Sequence, residues 1–158
     1  MTDTPVKIFF LTALALTGIL CGASLDQSIK QLPSRHLLGI KAFSEYAKAA
    51  DLKNGVAWYA LLGIGAALTT IGTAILILIS QPGEDFAFPI YFAGCCSICH
   101  LFCTSQAIPT YRKQKRTESE DKLKRLFNKF ERIQITSSIF IVLTLLSLMW
   151  SLTILMMR

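Results

Sequence analysis

Charge is scarce in this sequence. Asp, Glu, Lys and Arg make up 16% of its 158 residues, where a soluble domain carries about 25%. Histidine is scarcer still, with His36 and His100 the only two. The loops lack cysteine, because all five cysteines fall inside apolar runs. A secreted disulfide framework would place them in loops, so that class is excluded. A nucleotide-binding glycine loop is also missing. Gly63-Ile64-Gly65 follows no strand pattern and has no third glycine at the required spacing. The basic residues form no groove-reading motif. They flank hydrophobic runs, so the net charge of +6 reads as a topology signal and not as nucleic-acid binding.

What is present is apolar. Hydrophobic residues reach 53%, and the mean hydropathy is +0.50. They gather into four runs, over residues 8–25, 55–80, 86–108 and 133–157. A spanning helix needs about 20 such residues. The expected fold is one all-α domain over residues 1–158, a four-helix transmembrane bundle with an amphipathic helix in the first loop. Nothing in this pattern demands a cofactor.

The first run has rival readings. Lys7 precedes it and Gly22-Ala23-Ser24 are small, as in a signal peptide. Cys21 suggests a lipoprotein, but Leu20 stands where a small residue is usual. A retained span is the expectation. Gly18 and Gly22 form a GxxxG, which lets a second backbone approach, in this chain or in a homo-oligomer. In the second run Trp58 and Tyr59 suit an aromatic belt, and Gly65, Thr69, Gly72 and Thr73 form a small-residue stripe. Pro82-Gly83 marks a turn over Gln81–Asp85. Pro89 is tolerated in the first turn of helix three, and Pro109 with the charges after it is expected to end the third span.

In the first loop Pro33 breaks the chain and Ser34 can cap a new helix. His36, Gly39, Ile40, Phe43, Tyr46, Ala47 and Ala50 then recur at spacings of three and four. This predicts an amphipathic helix in the interface or packed under the bundle. His36 is a catalytic candidate, although a histidine at such an edge is more often an interfacial hydrogen-bonder. In the third loop Thr117-Glu118-Ser119-Glu120 reads as a capping box. Leu123, Leu126, Phe127, Phe130 and Ile133 form an apolar stripe, so one helix should run unbroken into the fourth span.

Basic residues are divided unevenly. The loops at 26–54 and 110–132 hold fourteen, and the opposite side holds only Lys7 and Arg158. The positive-inside rule makes both loops cytoplasmic and both termini external in a cell (inner) membrane. Arg112–Arg132 is expected to meet anionic lipid, at about 1 kcal/mol per basic residue near the surface.

One stretch gathers chemistry-bearing side chains: Cys95-Cys96-Ser97-Ile98-Cys99-His100-Leu101-Phe102-Cys103. Cys96, Cys99 and His100 match C-x-x-C-H, the haem attachment signature, which makes them cofactor-binding candidates. The motif lies well inside a span, however, where attachment machinery does not reach. Cys96, His100 and Cys103 share one helical face and are metal candidates, but a structural zinc site needs a fourth ligand, for which only Cys21 is available. Packing by small residues is the favoured reading. His100 should then face the bundle interior and find an internal partner, since polar groups are costly in lipid. It is the second catalytic candidate and the best single functional residue.

Several stretches resemble a family. Ala23-Ser24-Leu25-Asp26-Gln27-Ser28, Leu32-Pro33-Ser34-Arg35-His36, Ala49-Ala50-Asp51-Leu52 and Phe130-Glu131-Arg132-Ile133-Gln134 are similar to segments of the anthrone oxygenase-like family of small four-span bacterial membrane proteins. The resemblance covers most of the chain in outline. It implies the same membrane fold and, in oxygenase members, a cofactor-free reaction in which a base removes an activated C–H proton. Those members carry Trp, His and Arg approaching helix four. This chain has Phe130, Gln134 and Ser137 there, which leaves His36 or His100 as the base.

Three functions follow. The leading one is a polytopic membrane protein that binds a lipophilic ligand or partner between its helices. The second is an oxygenase acting on a lipophilic phenolic substrate. The third is a haem or metal redox protein built on the Cys/His cluster.

Overall fold

Four long helices carry the four apolar runs. The computed structural model describes residues 4–50, 55–80 and 84–157. The chain forms α1 (Thr4–Asp26), a single π-helical turn (Gln27–Gln31), α2 (Arg35–Leu38), α3 (Ile40–Ala50), α4 (Gly55–Ser80), α5 (Glu84–Arg116) and α6 (Glu120–Met156). No strand occurs among the described residues. Helices α1, α4, α5 and α6 are each long and apolar enough to cross a membrane. They pack in a ring in the order α1, α4, α5, α6, with α6 closing back on α1.

The outer faces are apolar. Ile64, Leu68, Ile75, Leu78, Ile139 and Leu146 are all exposed. On a soluble protein so broad an apolar surface would be anomalous, but lipid solvates it. Inside, small residues set the helix spacing. α6 buries Ser137, Ser138, Thr144, Ser147 and Ser151 along one face. Thr144, Ser147 and Ser151 donate to the carbonyls four residues earlier, which satisfies each hydroxyl within its own helix. Close van der Waals contact then replaces the hydrophobic drive that lipid removes. At the end of the bundle near the termini, Phe10, Phe86, Ile77, Ile90 and Leu148 form a dense plug.

The helices outrun the membrane. α6 has 37 residues, which at 1.5 Å each is about 55 Å against a ~30 Å hydrocarbon core. α5 has 33 residues and does not stop at Pro109, which lies inside it. The helix therefore continues past the expected end of the third span. Proline removes one helical hydrogen bond, and in a packed bundle neighbouring groups tolerate that loss. α5 and α6 therefore leave the bundle together as a helical stem. Gln114 Nε2 donates to the Leu126 carbonyl at 3.1 Å, and the Tyr111 ring packs at a tilt against Phe130 with centroids 5.8 Å apart.

The first connection climbs this stem and returns. An ion pair between Arg35 Nη2 and Glu131 Oε2 pins it. A helix does start after Ser34, at Arg35, but the amphipathic stretch is not continuous. It is split by Gly39, whose φ of 78° suits a residue without Cβ, and α3 begins at Ile40. Ser34 turns its hydroxyl back to the Gln31 carbonyl at 2.6 Å and makes no forward cap. α3 then leans on the stem. Lys41 lies 3.5 Å from Glu120, and the Phe43 ring meets Phe127 edge-on at 5.1 Å. Leu32, Phe43, Leu123, Phe127 and Phe130 make a second small core there. The capping box also shifts. Ser119, not Thr117, occupies the cap position of α6, and Thr117 bonds back to the Lys113 carbonyl. Pro89 falls in the second turn of α5, not the first. The turn read at Gln81–Asp85 has its Pro82-Gly83 core outside the described residues.

Candidate functional site

Where the stem leaves the bundle, a pocket of about 270 Å³ opens. Its aromatic wall comes from Phe43 and Tyr46 of α3, Tyr59 of α4, Tyr111 of α5, and Phe127 and Phe130 of α6. The walls belong to different helices because two periodicities meet here. The stripe of α3 turns inward against the stem, while the spans contribute their small and polar face.

The floor is polar. His100 Nδ1 lies 2.8 Å from Ser137 Oγ, and Nε2 lies 3.3 Å from Thr104 Oγ1. His100 is buried, and both ring nitrogens have partners, as a neutral imidazole in a bundle requires. The α4 backbone comes close at Gly63. A Cβ added there would sit 3.4 Å from His100 Nε2, in ordinary van der Waals contact with the ring. Beside it α1 and α6 share a hydroxyl cluster. The Ser138 hydroxyl lies 2.7 Å from that of Ser24 and 2.7 Å from that of Ser28, and Gln134 Nε2 donates to Ser24 Oγ at 3.1 Å. Among the described residues the pocket lining contains Ser, Thr, Gln, Tyr and His but no Asp, Glu, Lys or Arg. That is notable beside a stem studded with basic residues. The pocket can offer hydrogen bonds to a neutral head and aromatic faces to a flat one. Among the described residues it offers no ion pair.

Of the catalytic, cofactor-binding and metal candidates His36, Cys96, Cys99, His100 and Cys103, only His100 lines this pocket. His36 is exposed on α2, where its Nε2 lies 3.5 Å from Arg35 Nε. Cys96 and Cys103 are buried in the bundle, while Cys95 and Cys99 face outward. Cys96 and Cys99 therefore point to different surroundings, and the C-x-x-C-H pattern does not present two thiols to one face. Cys21 packs in the small apolar cluster of Leu20, Ala66 and Ile141. Among the described residues no three His, Cys, Asp or Glu side chains converge as metal ligands, so Cys96, His100 and Cys103 share a helical face without forming a ligand set. All five thiols are free.

Sequence reading missed Gln27, Gln31, Tyr111 and Gln114 as pocket residues. A signal existed for two of them. Tyr111 and Gln114 are three apart after Pro109, and they stand uncharged among cations. The expectation that Pro109 ends the span hid this. Comparison with family models, with curated proteins and with solved structures finds no match. The site is therefore read from its own geometry.

Proposed function

We propose that the protein is a multi-pass membrane protein that binds a lipophilic ligand with a neutral, hydrogen-bonding head. The pocket at the root of the stem carries this reading, since it joins aromatic walls to a buried polar floor without charge. Ligand pockets in membranes and bundles characteristically combine an apolar lining with a few convergent polar groups. The dense plug around Phe10, Phe86 and Leu148 supports a one-sided cup and argues against a conduit across the bundle. The test is organic extraction of the detergent-purified protein followed by mass spectrometry. A stoichiometric neutral amphiphile supports the proposal, and its loss from His100→Leu links it to this site. Only bulk phospholipid from both proteins would refute it.

His100→Leu is expected to weaken ligand retention and lower the unfolding temperature more than Phe102→Leu. His100 gives up contacts to Ser137 and Thr104, whereas Phe102 is exposed to lipid. Leaving a buried hydroxyl without its partner costs about 1–3 kcal/mol. Equal small effects from both changes would remove His100 from the site.

A second reading is an oxygenase on a lipophilic phenolic substrate. One observation favours it: Phe130, Gln134 and Ser137, the positions noted in the family resemblance, all line the pocket. His100, not the exposed His36, is then the base. Oxygen uptake with an anthrone, lost in His100→Leu, separates this from simple binding. The haem reading has no comparable support. Covalent haem is expected to be absent, so a haem-stained band that survives denaturing electrophoresis and vanishes in Cys99→Ser would overturn that expectation.

The anionic-lipid contact narrows to the base of the stem. From Ile133 to Glu120 the stem rises about 20 Å, beyond the ~8 Å range of surface charge at physiological salt. On this reading Arg112, Lys129 and Arg132 are the cations expected to meet lipid headgroups.

A further inference from the structure

Behind His100 lies a second, much smaller chamber between the helices. It has a volume of about 10 Å³ and is lined by Thr17, Ala67, Ser97, His100, Ile141 and Thr144. Thr17 stands out among the helical threonines. Thr12, Thr70, Thr73, Thr144 and Thr153 each donate to the carbonyl four residues earlier. Thr17 does not. Its hydroxyl is buried and has no hydrogen-bond partner among the described residues. Its residue is only 2% exposed. A threonine in a helix can satisfy itself at little cost, so a hydroxyl turned into a chamber instead calls for a partner inside it.

We infer that this chamber is a binding site for a single water molecule held by the Thr17 hydroxyl. The volume matches the smallest space that admits one water, about 10–15 Å³ of probe volume. Hydroxyls from three helices line it, those of Thr17, Ser97 and Thr144, which can supply the two to four partners that a buried water needs, while the ring nitrogens of His100 already have theirs. Thr17 is on α1, Ser97 and His100 are on α5, and Thr144 is on α6. α1 and α5 face each other diagonally across the ring, so the water would connect two helices that are not neighbours in it. His100 lines both the pocket and the chamber. The water therefore continues the polar floor inward by one step, up to the apolar plug. This inference stands whether or not the pocket holds a lipophilic ligand.

Thr17→Val tests it by sign. Valine keeps the shape and deletes the hydroxyl. If the hydroxyl binds water, the variant loses that contact and unfolds about 2–4 °C lower. If the hydroxyl were bare, valine would relieve it, so an unchanged or higher midpoint overturns the site. Should Thr17→Val not fold, solid-state NMR of the wild-type protein in bilayers decides. Magnetisation transfer from a long-lived water to Thr17, retained in Thr17→Ser, supports the site, and its absence refutes it.

Discussion

A membrane-impermeant thiol reagent applied to intact cells is expected to modify Thr4→Cys and to leave Lys115→Cys untouched. Fourteen of the sixteen basic residues lie in the two connections on the stem side. Short connections rich in Lys and Arg are retained in the cytoplasm. The stem strengthens the test, since Lys115 is exposed near its tip and Thr4 is exposed at the opposite end. Neither position is buried by the protein itself. The five native thiols lie within the spans, so wild-type protein supplies the background. Permeabilised cells should label both variants. Labelling of Lys115→Cys alone in intact cells would invert the topology and turn the pocket outward.

Helix periodicity and composition made the four spans legible, along with the inward face of His100. Spacing along α6 also announced that the stripe from Leu123 to Phe130 and the fourth span form one helix. What the sequence concealed depends on contacts between distant segments. Pro109 reads locally as a stop, yet the packed partner helix carries α5 past it to Arg116. Gly39 fits the apolar stripe of the first loop by spacing alone, but the chain needs a positive φ there to bring α3 against the stem. The pocket was illegible for the same reason. Its walls come from residues as far apart as Leu20 and Ile141, and no local pattern links them. The Cys/His cluster drew attention because its residues are adjacent in sequence. A helix spreads adjacent side chains around its axis, and only His100 reached the site.

Glu131→Ala is expected to cost more stability than any other single change considered so far. Its partner Arg35 is 8% exposed and sits where the first connection meets the stem. Removing one partner of a buried pair leaves an uncompensated charge, at a cost of 3–5 kcal/mol; Glu131 is partly solvated, so about 3 kcal/mol is the appropriate figure. The loss should also reach the pocket. Arg35 anchors the segment that carries Leu32 and leads into α3, and Leu32 and Phe43 both line the cavity. Ligand retention should fall in this variant even though Glu131 does not touch the pocket. Two controls separate pairing from simple loss of charge. Glu120→Ala breaks the pair with Lys41, where the side chains are 58% and 75% exposed, and exposed pairs contribute about 0–1 kcal/mol. The double change Arg35→Met with Glu131→Met removes both charges and should recover most of the loss, because apolar residues of similar volume often replace a buried pair without penalty. Thermal unfolding in one detergent compares all four proteins. If Glu131→Ala behaves like Glu120→Ala, Arg35 is solvated and the first connection is not fixed to the stem. If the double variant is no better than the single one, packing of the glutamate side chain, and not its charge, holds the two segments together.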